Sequence, residues 1–166
     1  MRKLSIIIVV GLMINACAQV YFAAPQPQKG TTVRSFLNEL HGVYSDSNYV
    51  VEIRKNEMVV SGDRYQLTSK TPLDNEVLVK FYKNFYFASF LDTLHYTVFM
   101  GKFYDNKLAV YMLNADSRSI EILNRYVAVD TINANDSTYF INPSKKAFDQ
   151  MIDDELFDVV CVLEKR

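Results

Sequence analysis

Two histidines, His41 and His95, and two cysteines, Cys17 and Cys161, are the chain's whole supply of soft metal ligands and strong nucleophiles. A zinc site takes about four nitrogen or sulfur ligands, or three and a water. These four residues are scattered without ligand spacing, so no metal is expected. Cys161 lies in "VVCVL", where Val159, Cys161 and Leu163 share one strand face. It reads as a small core hydrophobe, because a reactive thiolate needs an electropositive, partly exposed niche. The carboxylates Asp149, Asp153, Asp154 and Glu155 form the densest acidic cluster. On an exposed helix end they stay solvated, without the burial that raises a general acid's pKa. No Gly-X-Ser-X-Gly, Walker loop or dinucleotide fingerprint occurs, and five glycines leave little room for a phosphate cradle. The expectation is a protein that is not an enzyme and carries no cofactor. What remains is aromatic surface: 11 Tyr and 11 Phe with no Trp. Tyr82, Tyr86, Tyr96, Tyr104 and Tyr111 fall on or beside the central strands and are the binding candidates. They either line a small barrel and its rim, or present an amphipathic face to a protein or glycan.

The N-terminus carries a different chemistry. Arg2 and Lys3 precede an apolar run over residues 4–14, and small residues follow around Ala16, the pattern of a secretory signal. That run is about half of the roughly 20 residues a spanning helix needs. "INAC", Ile14 to Cys17, resembles the lipobox of bacterial lipoproteins, although Asn15 departs from it. The resemblance implies cleavage before Cys17 and a diacylglycerol on its sulfur. The competing site, Ala16-Cys17-Ala18, is an Ala-X-Ala sequence cleaved after Ala18. The first implies a chain held at the bacterial cell envelope by a lipid, with the membrane as partner; the second implies a soluble periplasmic or secreted protein. Residues 19–32, rich in Ala, Gln and Pro, read as a flexible tether. Asn135-Asp136-Ser137 matches an N-glycosylation sequon.

Losing Arg2 and Lys3 with the leader takes the net charge from −1 to −3. No basic stripe exists, so nucleic acid is not an expected partner. With Cys17 acylated or removed, Cys161 has no intrachain partner. The stretch 33–166 fits one domain and is long enough to bury a core.

From Tyr44 onward the apolar period is about two, the mark of a sheet with one dry face. "NYVVEIRK" and "MVVSGDRYQLTS" alternate around a turn at 55–57, with Gly62 and Asp63 marking a bulge or second turn. "EVLVKFY" and "FYFASFL" form a hairpin around Lys83-Asn84, and "TLHYTVFMGKF" and "LAVYML" another around "YDNK". Before them, Thr32 caps a short helix through Leu40. "SRSIEILNRYVAV" suits either a helix capped by Asp116 or a strand, and the strand is preferred for its "YVAV" ending.

A late helix spans about 143–155, with Asn142 as cap and Pro143 in the first turn; Phe148, Met151, Ile152 and Leu156 line one side. Its charges oppose the helix dipole. Lys145 and Lys146 at the start and Asp153, Asp154 and Glu155 at the end each cost roughly 0.3–1 kcal/mol at low salt. Packing, rather than propensity, must hold it. A final strand covers about 157–164.

The order of elements, with Gly42 and Tyr44 entering the first strand, resembles the lipocalin or calycin barrels, which open on a Gly-X-Trp motif. Tyr44 stands in the tryptophan's place, and no partnering arginine on a late strand is identifiable. The fold class expected is mainly β with a C-terminal helix: a single antiparallel meander, closed as a lipocalin-like barrel or open and covered by the late helix. The resemblance implies a small-ligand cavity or an envelope partner surface.

Overall fold

A computed structural model describes residues 19–62, 67–73, 77–133 and 138–166. The leader, Cys17 and the sequon at 135–137 lie outside the described residues, as does Asp63.

The protein is mainly β with two helices. β3 (Gly42–Ser45), β4 (Tyr49–Arg54), β5 (Glu57–Gly62) and β6 (Leu67–Pro72) make one antiparallel meander. β7 (Val77–Tyr82), β8 (Phe85–Asp92), β9 (His95–Tyr104) and β10 (Lys107–Leu113) make a second. The last strand, β13 (Phe157–Lys165), lies between them, antiparallel to both β10 and β3. The sheet curls into a half-barrel, and its terminal strands do not pair with each other among the described residues.

Alternation along each strand sorts the side chains. On β8, Tyr86, Ala88 and Phe90 face the concave side, while Phe85 and Phe87 face the convex side. The turns follow the rule for two-residue hairpins, which need left-handed backbone. Lys83 and Asn84 have φ of 50° and 65°, and Asp105 and Asn106 have 45° and 60°.

Two cores result. The concave one joins Tyr44, Val51, Ile53, Phe99, Leu108 and Leu163. The convex one lies under α2 (Lys145–Asp153), whose Phe148, Met151 and Ile152 pack on Phe87, Phe157 and Ile141. Phe148 meets Phe87 edge-on at 5.6 Å and Phe157 at 5.9 Å. The helix's adverse charges find partners outside it. Lys83 Nζ donates to Asp153 Oδ1 at 2.6 Å, and Tyr126 Oη donates to Asp154 Oδ2 at 2.7 Å.

Several expectations are corrected. The tether at 19–32 is not a free spacer. Gln19–Phe22 form β1, parallel to β12 (Thr138–Ile141) and touching β9 at Phe22 opposite Tyr96. Val20 and Phe22 are 2 % and 1 % exposed, and each such burial stabilises by roughly 1.5–3 kcal/mol. The chain then crosses the convex face. Gln26 N–H donates to Ser89 Oγ at 3.0 Å, and the two-residue β2 (Thr31–Thr32) pairs with β7.

No helix runs from Thr32 to Leu40. Val33 N–H donates to Val79 O and Phe36 N–H to Lys55 O, which commits the backbone to the sheet and leaves one 3-10 turn, Asn38–Leu40. In the ambiguous segment the helix wins. α1 (Ser117–Leu123) is capped by Asp116, which accepts from Ser119 N–H at 2.8 Å. Leu123 is driven into the convex core with Ile120 packed beside it, and the strand that follows, β11, is confined to Val129–Asn133. The cap of α2 is Ser144 and not Asn142: its Oγ accepts from Ala147 N–H at 3.2 Å.

Candidate functional site

The concave face of the half-barrel encloses a hollow of about 100 Å³. Its wall comes from both meanders: Val51, Ile53 and Val60 from the first, Phe90, Phe99 and Leu108 from the second. Period-two alternation is the cause, since the inward positions that line the hollow are apolar apart from Tyr86. Tyr86 brings the one hydroxyl among the lining side chains.

Tyr86 is held by rings on three sides: Phe81 at 4.9 Å, Phe103 at 5.4 Å and Phe36 at 6.3 Å. Burial, and then the charge of Glu39, push its phenol above the ordinary tyrosine range. It stays neutral at physiological pH and can act only as a hydrogen-bonding group. Directly across the ladder from Tyr86 is Gly101. A Cβ on Gly101 would stand 3.4 Å from Leu108 Cδ1 and 3.6 Å from Tyr86 O, ordinary contact distances. The absent side chain leaves part of the hollow open.

The other four tyrosine candidates do not join Tyr86. Tyr82, Tyr96 and Tyr111 pack against the convex core, and Tyr104 is 40 % exposed where β9 meets its turn. The five are divided between two faces and form no single patch.

A second concavity lies on the convex side. Between the end of α2 and the outer face of β8, β9, β10 and β13 runs a groove of about 610 Å³. Phe85, Tyr111 and Phe157 line it together with Lys83, Lys102, Glu155 and Asp158. Phe85 meets Tyr111 edge-on at 6.2 Å, and Lys102 Nζ lies 5.4 Å over the Phe85 ring.

The groups that might do chemistry are otherwise engaged. His41 Nε2 contacts Phe36 O at 3.2 Å, while His95 lies edge-on to Phe140 at 4.9 Å. No group of three potential ligands that could hold a metal occurs among the described residues. Burial, and then the Asp46 charge, push the Cys161 thiol up to about 11, so at neutral pH it is no thiolate. Burial alone would raise the Asp149 carboxyl, but hydrogen bonds from Lys29 and Tyr82 and the charges of Lys29 and Lys83 hold it below its ordinary value. Lys29 Nζ donates to it at 2.6 Å, an ion pair that also ties the crossing segment to α2. No helix among the described residues is long and apolar enough to cross a membrane.

Neither Gly101 nor the second groove stands out in the sequence. The usable signal was the strand pairing, which sets Gly101 against Tyr86 once the hairpin turns are assigned.

No protein-family model, curated protein or solved structure matches the chain.

Proposed function

We propose that this chain is a non-catalytic binding domain of the bacterial cell envelope that holds a small apolar ligand in the concave face of its half-barrel. The observation that carries the reading is the hollow: about 100 Å³, walled by aliphatic and aromatic side chains, with a single hydroxyl at Tyr86. An apolar cavity of roughly 150 Å³ stays dry and takes up benzene. Drug-sized ligands need about 300–1,000 Å³. The fitting occupant is therefore a single ring or the end of a hydrocarbon chain, with Tyr86 Oη as its one polar contact.

The envelope location rests on the leader and on Cys17, which under the lipoprotein reading anchors the chain in a membrane. Only Ala18 separates that cysteine from β1. A lipid there holds the domain against the bilayer surface with no spacer, within about 7 Å of chain between Cys17 and Gln19.

Titration of the purified protein with benzene, followed by methyl NMR shifts of Val60, Val79 and Leu108, tests the binding. Movement of these methyls with saturation is expected, and unmoved methyls at saturating benzene would overturn it. Incorporation of labelled fatty acid into the wild type, lost in Cys17→Ser, tests the anchor.

A further inference from the structure

β13 has one edge that the sheet leaves open. It pairs with β10 from Phe157 to Glu164, but on its other side β3 reaches only Glu164 and Lys165. Beyond Ser45 the chain turns back, with Asp46 Oδ1 accepting from Asn48 N–H at 2.6 Å and Tyr49 N–H at 2.7 Å. From Phe157 to Leu163 that side of β13 has no strand partner among the described residues.

The backbone polarity of this edge can be read off its neighbours. Lys165 N–H donates to Asn106 O on the β10 side, and Arg166 N–H donates to Val43 O on the β3 side. Alternation along the strand turns Glu164 and Val162 toward β3 as well. At Val162 no β3 residue stands opposite.

The side chains there are apolar and exposed. Val159, Val160 and Val162 are 56 %, 43 % and 38 % exposed. Val160 is the extra residue where the pairing with β10 shifts register, so two consecutive valines are left uncovered. An exposed β-branched edge of this kind invites another strand.

The charge around it is mixed, with the anions in excess: Asp153, Glu155 and Asp158 share the groove with Lys83 and Lys102. Asp158 lies in the open stretch, and Glu155 lines the groove beside it. Neither forms an ion pair among the described residues. Asp46 is near enough to Cys161 for its charge to act on that thiol. Within the groove Lys83 is paired with Asp153, and Lys102 lies over the Phe85 ring.

We propose that the edge of β13 from Asp158 to Val162 receives an extended peptide strand of a partner protein, one that carries a lysine or arginine among β-branched residues. Main-chain hydrogen bonds form at Val162, apolar side chains cover Val159 and Val160, and the cation meets Asp158 and Glu155 at the mouth of the groove. This surface is separate from the concave hollow and does not depend on what the hollow holds.

The probe is the synthetic peptide acetyl-Thr-Val-Lys-Val-Lys-Val-Thr-amide, with a second peptide carrying glutamate in place of both lysines. Amide NMR of the whole chain should show the Val160 and Val162 signals moving and exchanging more slowly with the lysine peptide. The glutamate peptide should bind about tenfold more weakly, and the surface variant Asp158→Lys should narrow or reverse that ratio. Equal binding of the two peptides overturns the proposal, as do shifts confined to other strands. Sedimentation showing that the free chain pairs with itself through this edge also overturns it, assigning the surface to a second copy.

Discussion

Phe22→Ala separates a packed first strand from a loose spacer. The Phe22 side chain is 1 % exposed, sits in the convex core and meets Phe148 edge-on at 6.1 Å. Truncating a buried phenylalanine to alanine costs about 3–5 kcal/mol, the transfer and cavity contributions together. In a domain of this size each kcal/mol moves Tm by roughly 2–4 °C, so a fall of about 6–20 °C is expected. Against a total stability of about 5–15 kcal/mol the variant is marginal but foldable. Tyr21→Ala is the comparator. Tyr21 is half-buried on the opposite face, where its hydroxyl donates to Gln19 Oε1 at 2.9 Å, so its loss should cost about 1 kcal/mol. Urea unfolding followed by circular dichroism measures both, with an unchanged slope required for the comparison. If Phe22→Ala lies within about 0.5 kcal/mol of the wild type, β1 contributes nothing and the strand assignment from Gln19 to Phe22 is refuted.

Gly101→Ala should raise stability by about 0.5–1 kcal/mol, since an ordinary residue replaces glycine in a strand, and weaken benzene uptake; unchanged affinity in the methyl titration would separate the hollow from the binding. Cys161 should resist Ellman's reagent at pH 8 in the folded protein and react promptly in urea. Its raised folded pKa means that the unfolded state loses its proton first, so this thiol's share of stability declines as pH rises from about 9 to about 11, the reference and folded values. A thiol that reacts at once in the folded protein contradicts its burial. An isolated peptide spanning residues 141–156 should be mostly coil in water, because the stabilising contacts of α2 come from the sheet; strong helicity by circular dichroism would count against this.

The sheet was legible wherever a strand had one dry face. Residues 77–113 alternate strictly enough that both hairpins, and the two Asn-containing turns between their strands, are readable in the sequence alone. The late helix was legible from Phe148, Met151 and Ile152 at helical spacing, although its cap was displaced from Asn142 to Ser144. What escaped was short or non-local. "QVYF" is too brief to display a period, and the Ala, Gln and Pro around it dominate the composition. Ile120, Leu123 and Val127 suit a helix while Ile122 and Tyr126 suit a strand, and only the burial of Leu123 in the convex core decides between them. The branching of β1 from β9, and the seat of β13 between two meanders, have no local signal at all. Whether the interior is hollow or filled was left open by the sequence, because the volume depends on how far the half-barrel curls.

The position of β13 has a consequence for how the chain is made. Glu164 stands opposite both Lys107 and Ser45, so it touches the two meanders at once. Each meander can zip up from neighbouring segments, yet the pairings of β13 with both of them are non-local and form late. Until then two greasy faces stay uncovered, which makes the nascent protein dependent on protection and slow to finish. Without β13 the two meanders would be held together by the concave core and by the segment from Thr31 to Phe36, which bonds to Val79 and Lys55.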